Sequence, residues 1–273
     1  MGAASIRPVD LVRVSPAGRE SRADVAAVEE PLEIRLHGSP FVITMRTPGA
    51  DKELVAGFLL SERIITSADE IGTIRHCIDA DEAAAGNVID VVLAGGAAQR
   101  VTSALAGRRL VTATSACGVC GRRSIDDLMR DCPRIDTAWS IAADVIAALP
   151  LRLREAQTAF DETGGLHAAG LFGCDGRLTG VAEDVGRHNA VDKVIGATLL
   201  RDEMPLSGHV LCVSGRTSFE IVQKAVVAGI PIVAAVSAPS SLAVDLARSA
   251  NLTLLGFVRG NTFNIYSGAD RIV

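Results

Sequence analysis

Apolar and polar positions along this chain fall into three stretches with different periods. Over residues 1–30, Ser, Pro, Gly, Arg and Glu mix with little periodicity, which predicts a mobile leader in which residues 9–12 could pair as an edge strand. From residue 32 the period becomes two. Residues 32–36 and 41–45 flank His37-Gly38-Ser39-Pro40, a hairpin signature. Apolar positions at helical spacing over 51–60, with Asp51 in the N-cap region, predict a helix. Strands over 71–78 and 87–93 bracket the turn-prone residues 79–82. Hairpin, helix and further strands imply a small α+β unit of β-grasp type over 31–109, and the small, polar residues 95–109 read as its connection to the rest of the chain.

From residue 138 helical and extended patterns alternate. Helices are predicted over 138–149 and 153–160, then a hairpin of 166–172 with 178–183, turned by Gly173-Cys174-Asp175-Gly176-Arg177. Helix 189–201, strand 209–213, helix 217–228, strand 231–236, helix 240–250 and strand 252–258 come next. These strands are nearly all apolar, as expected of a sheet covered on both faces. A last strand, 262–266, could close either sheet. The organisation predicted is α/β: a small N-terminal α+β domain, a connection over 110–137, and a larger α/β domain over 138–273.

Composition narrows the class. Of 273 residues, 48% are hydrophobic and 22% charged, enough for a substantial core. A net charge of -5 and an aromatic content of 3% argue against nucleic-acid binding, by either a basic surface or a stacking platform. No apolar run has the length of a membrane span, and the N-terminus lacks the apolar core of a secretory signal, so a cytoplasmic protein is expected. Lysine occurs only at Lys52, Lys193 and Lys224.

The sharpest chemical signal is Cys117-Gly118-Val119-Cys120-Gly121, followed by Arg122 and Arg123 and by residues 125–129, which read as the start of a helix. A free thiol of pKa about 8.5 is mostly protonated at neutral pH, and neighbouring cations and a helix N-terminus both favour the thiolate. The pair therefore reads as a sulfur-handling site. Structural zinc requires four ligands, and Cys77, Cys132, Cys174 and Cys212 stand singly, so no zinc is expected. A reducing compartment disfavours a structural disulfide. A thioredoxin-type motif would follow a strand near the start of a βαβ unit; residues 110–114 could be that strand, and the alternative stays open.

Two strand-to-helix junctions in the larger domain concentrate polar residues. Glu183-Asp184-Val185-Gly186-Arg187-His188-Asn189 is followed by Asp192-Lys193, and capping and ligand binding explain it equally well. Ser214-Gly215-Arg216-Thr217 offers hydroxyls, a close backbone approach and a guanidinium for phosphate, without the Lys-Ser/Thr ending of a P-loop. Thr163-Gly164-Gly165-Leu166-His167 suits a tight turn or a ligand-facing backbone. Phe257-Val258-Arg259-Gly260-Asn261-Thr262 interrupts a strand as a plain loop or as the lip of an anion pocket.

Together these five segments, in their order along the chain, resemble the FdhD/NarQ family of sulfur carriers required for formate dehydrogenase activity, over about residue 32 to the C-terminus. The resemblance implies that a cysteine desulfurase loads the thiol loop as a persulfide. The sulfur would then pass to the molybdenum or tungsten centre of the bis-molybdopterin guanine dinucleotide cofactor before that cofactor enters formate dehydrogenase. It assigns the persulfide to Cys117, with Cys120 as the assisting thiol. Cofactor contacts are expected from Arg187 and His188, from Ser214, Gly215, Arg216 and Thr217, and from Phe257, Val258, Arg259, Gly260, Asn261 and Thr262. The family's larger domain is similar to the cytidine deaminase fold. Position 190 is Ala where zinc deaminases carry their acid, and no Pro-Cys-x-x-Cys occurs, so deamination is not expected. A homodimer is expected, and a cofactor-holding chaperone and a thiol–disulfide oxidoreductase are the competing functions.

Overall fold

The computed structural model describes residues 5–77, 86–107 and 132–273. Its first elements are β1 (Ile6–Ser15) and β2 (Gly18–Ala27), an antiparallel ribbon paired along its full length. Residues 6–27 are thus strands where the pattern predicts a leader. Every position of the ribbon is exposed or only partly buried, so neither arm has the apolar face that generates a period-two signal.

The predicted hairpin forms from β3 (Glu30–Leu36) and β4 (Ser39–Arg46). Its turn residues His37 and Gly38 both have positive φ (51° and 79°), as a two-residue turn between twisted strands requires. Helix α1 (Asp51–Ser61) comes next, but Asp51 does not cap it. Ala50 holds that position in the left-handed region, and the Asp51 carboxylate takes both Nε and Nη2 of buried Arg46 at 3.0 and 3.1 Å. Strands β5 (Ile71–His76) and β6 (Val88–Leu93) complete a sheet of order β4-β3-β6-β5, with β3 and β6 parallel. The turn predicted at 79–82 lies outside the described residues.

Two helices depart from expectation. Residues read as a connection form α2 (Gly95–Gly107), in which Ala97 and Val101, four apart, are buried on one face. Helix α3 (Ala143–Glu155) runs through Pro150, where the pattern predicts a break between two helices. Ile146, Leu149 and Leu153 form one buried stripe across the proline, and the contact of that stripe with the sheet keeps the helix continuous. Only a short helix, α4 (Thr158–Thr163), comes after it.

The remaining elements match their predicted positions to a residue or two. They are β7 (His167–Gly173), β8 (Leu178–Asp184), α5 (Arg187–Leu199), β9 (His209–Val213), α6 (Phe219–Val227), β10 (Ile232–Ala235), α7 (Ser241–Ser249), β11 (Thr253–Arg259) and β12 (Thr262–Ser267). They build one mixed sheet of order β12-β11-β10-β9-β7-β8, in which β9, β10 and β11 are parallel. The last strand, compatible in sequence with either sheet, pairs antiparallel with β11.

Alternation along the central strands serves two faces. Val210, Cys212, Ile232 and Ala234 join the α3 stripe. Leu211, Val213, Val233 and Ala235 join a core shared with α5, α6, α7, α1 and the four-stranded sheet. Glycines let α1 and α5 meet backbone to backbone: a Cβ on Gly57 would lie 2.0 Å from the Asp192 carbonyl oxygen, and one on Gly196 1.8 Å from that of Glu53. This contact holds α1, which follows β4 of the four-stranded sheet, against α5, which packs on the six-stranded one.

Candidate functional site

At the β8–α5 junction the polar residues are turned inward. Glu183 accepts the N–H groups of Ala159 and Phe160, at 2.9 and 2.8 Å, and so caps the start of α4. Asp184, fully buried, lies 2.7 Å from the Lys193 ammonium and accepts from the backbone N–H of Thr47 and Gly186 and from the Asn189 amide. Asn189 also donates to the Met45 carbonyl, and Lys193 to the Thr47 carbonyl, both at 2.8 Å. The motif therefore bolts α5 to the end of β4 and the residue after it. One turn on, Asp192 receives both Lys224 Nζ contacts at 2.8 Å and the Ser61 hydroxyl at 2.9 Å. Burial pushes the Asp192 carboxyl up to about 6 against the pull of Lys224. Burial works against the Lys224 ammonium as well, but the charges of Asp192 and Glu220 outweigh it and hold the lysine above its ordinary range.

The β9–α6 junction is arranged differently. The Ser214 hydroxyl accepts the Ala168 N–H at 2.9 Å, while the Ser214 N–H donates to the Ala168 carbonyl, extending the β7–β9 pairing into the loop. Gly215 lies against the His167 ring: a Cβ there would sit 3.3 Å from Nδ1. Burial, and then the charge of Arg187, lower the His167 pKa, so this ring is neutral at pH 7. Beside it opens a cavity of about 600 Å³, walled by Gly164, Gly165, His167, Ser214, Val258 and Arg259 on one side and by Leu151, Arg154 and Phe160 on the other. Three of the segments singled out in sequence thus converge on one space. Arg259 stands at its rim and donates from Nε to the Val236 carbonyl at 3.2 Å.

The other expected contact residues spread around this centre. Gly260 and Asn261 border a second groove, of about 670 Å³, which shares Pro150 and Leu151 with the first. Phe257 is exposed, with φ of 54°, and the Thr262 hydroxyl donates to the Arg259 carbonyl. Arg216 is exposed. Among the described residues, Arg187 Nε and the Thr217 hydroxyl are buried without a hydrogen-bond partner. His188 is committed on both ring nitrogens, to Ser218 and Glu220. Cys117 and Cys120 lie outside the described residues. Of the cysteines described, Cys212 is wholly buried and its thiol is pushed up to about 12, which leaves it inert as a nucleophile.

Pattern reading misses the wall supplied by α3 and α4. Leu151, Arg154 and Phe160 look like ordinary members of amphipathic helices; the passage of α3 through Pro150 places Leu151 and Arg154 at the cavity, and α4 adds Phe160. There the Arg154 guanidinium sits 4.7 Å from the centre of the Phe160 ring.

The structure is thus a mixed α/β protein with an open cavity flanked by Arg154 and Arg259, and clefts at strand ends are where such sheets commonly take ligands. Comparison with known proteins makes this more specific. The model of the FdhD/NarQ family matches residues 27–273, and the chain belongs to that family. It is 53% identical over 266 residues to the sulfur carrier protein FdhD of Nocardia farcinica, covering 96% of this chain and 93% of the relative. It is 50% identical to the protein of the same name from Streptomyces coelicolor, covering 96% and 94%. Its fold is similar to a crystal structure described as that of a formate dehydrogenase accessory protein from Desulfotalea psychrophila, with a TM-score of 0.77, 26% identity and coverage of 99% and 100%. No helix among the described residues is long and apolar enough to cross a membrane.

Proposed function

We propose that this protein is a sulfur carrier that serves formate dehydrogenase. It takes sulfur from a cysteine desulfurase and delivers it to the molybdenum or tungsten bis-molybdopterin guanine dinucleotide cofactor before that cofactor is inserted. The observation that carries this reading is the convergence of Gly164, His167, Ser214 and Arg259 on one cavity, in a chain whose relatives are named sulfur carriers. Neutral His167, the Ser214 turn and the Arg259 guanidinium suit a phosphate-bearing cargo, with Gly215, Arg216, Thr217 and Arg187 close by in the same junctions. The adjoining groove at Gly260 and Asn261 gives room for a cargo with two ends. The larger domain is of the cytidine-deaminase-like three-layer type, supported by helices on both faces of the six-stranded sheet. The protein works in the cytoplasm as a homodimer.

In loading, the Cys117 thiolate attacks the outer sulfur of the desulfurase persulfide, and the desulfurase cysteine leaves as a thiolate. In delivery, the Cys120 thiolate attacks the inner sulfur of the Cys117 persulfide. Hydrosulfide departs toward the metal centre, a Cys117–Cys120 disulfide remains, and a cellular dithiol reduces it. Incubation with a cysteine desulfurase and cysteine adds one reductant-labile sulfur to the intact protein, read by mass spectrometry, and Cys117→Ala abolishes it. Full activation of formate dehydrogenase by Cys117→Ala overturns the carrier reading in favour of a chaperone that only holds the cofactor. Steady turnover of dithiol substrates would instead mark a thiol–disulfide oxidoreductase.

A further inference from the structure

One side-chain constellation is used neither by the cavity nor by the contacts between α5 and β4. Ser218 occupies the N-cap position of α6, yet its side chain makes no capping bond. The serine in the same position of α7, Ser240, accepts the Ala243 N–H as a capping serine does. The Ser218 hydroxyl instead lies 2.9 Å from His188 Nε2, and His188 Nδ1 lies 3.2 Å from Glu220 Oε2. Nδ1 faces a carboxylate and therefore carries the ring proton, which leaves Nε2 to accept from the serine. Burial lowers the His188 pKa to about 4, so the imidazole is neutral at pH 7 and Nε2 is unprotonated. Glu220 is held in turn by Lys224, whose ammonium is 3.8 Å away and anchored on Asp192.

We propose that Ser218, His188 and Glu220 form a hydroxyl–imidazole–carboxylate relay that makes Ser218 a nucleophile toward small carboxylic esters or thioesters. Three elements assemble it: the first turn of α5, the loop after β9 and the first turn of α6. Ser218 is half-buried, and the His188 and Glu220 side chains are 9% and 13% exposed. Helix geometry leaves the first N–H groups of α6 without intrahelical acceptors, and with no hydroxyl cap they can meet the oxyanion of an acyl group on Ser218. The orientation of the base by a carboxylate is the logic of the serine hydrolase triad.

The reaction balances as hydrolysis. The Ser218 oxygen bonds to the acyl carbon as its proton moves to His188 Nε2. The bond from acyl carbon to the leaving oxygen or sulfur breaks, and the leaving alcohol or thiol takes that proton. Water then attacks the acyl-serine, passes a proton to His188, and Ser218 recovers it as the carboxylic acid departs.

A fluorophosphonate probe tests this on the full-length protein, because it forms a stable ester with an activated serine and releases fluoride. Peptide mass spectrometry is expected to place the adduct on Ser218, with capping Ser240 unlabelled in the same digest. His188→Gln should slow labelling by a hundredfold or more, in the range of a lost general base (about 10²–10⁴), and Glu220→Gln should slow it measurably with the fold intact by circular dichroism. Hydrolysis of p-nitrophenyl acetate should lose its Ser218-dependent part in Ser218→Ala. Absence of a Ser218 adduct after hours at millimolar probe overturns the proposal. So does equal labelling of the folded His188→Gln protein, since a serine that merely bonds to a structural histidine gains no reactivity from it.

Discussion

The β8–α5 and β9–α6 junctions look alike in sequence: each follows a strand, opens a helix and gathers charged, hydroxyl and glycine residues. In the structure they are opposites. Asp184, Asn189 and Lys193 are buried and mutually satisfied, and they hold the backbone of residues 45–47. Ser214 opens onto a cavity beside His167 and Arg259, Gly215 lies against the His167 ring, and Arg216 is exposed. The lesson is that residue type does not separate a ligand site from a structural bolt; the supply of partners does. A junction whose polar groups find partners inside the chain is consumed by the fold, and one facing a cavity keeps its groups for something else.

That contrast can be broken most sharply at Asp184. Asp184→Ala leaves the Lys193 ammonium buried without its counter-charge, so unfolding in urea should show a loss of about 3–5 kcal/mol. A loss within about 0.5 kcal/mol, the range of ordinary surface substitutions, would mean that this junction is not the bolt described. Next comes acid sensitivity at His188, which is faced by Glu220, Lys224, Arg187 and His167. Its folded pKa of about 4 lies below the ordinary 6.5, so the unfolded chain binds more protons between these values. Its contribution, about 3 kcal/mol, is present above pH 6.5 and lost as pH falls toward 4. Urea midpoints of the native protein across that window should fall more steeply than those of His188→Gln.

The open junction gives the smallest change and the cleanest contrast. Arg259→Ala should weaken guanine nucleotide binding by roughly ten- to a hundredfold in a calorimetric titration, the cost of one charge-assisted contact at about 1.5–3 kcal/mol. Stability should stay within about 0.5 kcal/mol of the native value, because the side chain is exposed. Destabilisation without weaker binding would reverse the roles of the two regions.

Much of the architecture is legible in the chain. Strands β7, β9, β10 and β11 are found because burial on both faces imposes continuous apolar runs, the half-buried edge strands β8 and β12 because a turn or a strand break marks where each begins, and helices α5 to α7 because their buried faces impose helical spacing. The β1–β2 ribbon escapes because it buries neither face and leaves no pattern. Helices α2 and α3 escape because local composition, small residues in one and Pro150 in the other, opposes the stripe that tertiary contact stabilises. The candidate site is half legible: Ser214, Val258 and Arg259 are marked by their breaks in apolar strands, whereas Leu151, Arg154 and Phe160 carry no mark at all.

The elements of the larger sheet, the hairpin at His37 and Gly38, the family resemblance and the candidate sulfur chemistry of Cys117 and Cys120 can all be read without the fold, because each is written in residues close together along the chain. Which polar residues remain available is set by contacts between elements far apart in the chain. Whether Lys193 meets Asp184 or a ligand, and whether the Ser218 hydroxyl caps its helix or turns to His188, depends on the close crossing of α1 and α5 and on the positions of residues distant in sequence. Desolvation is the physical reason: a polar group taken from water must find a partner within hydrogen-bond reach, and that partner is chosen by the fold rather than by the neighbouring residues.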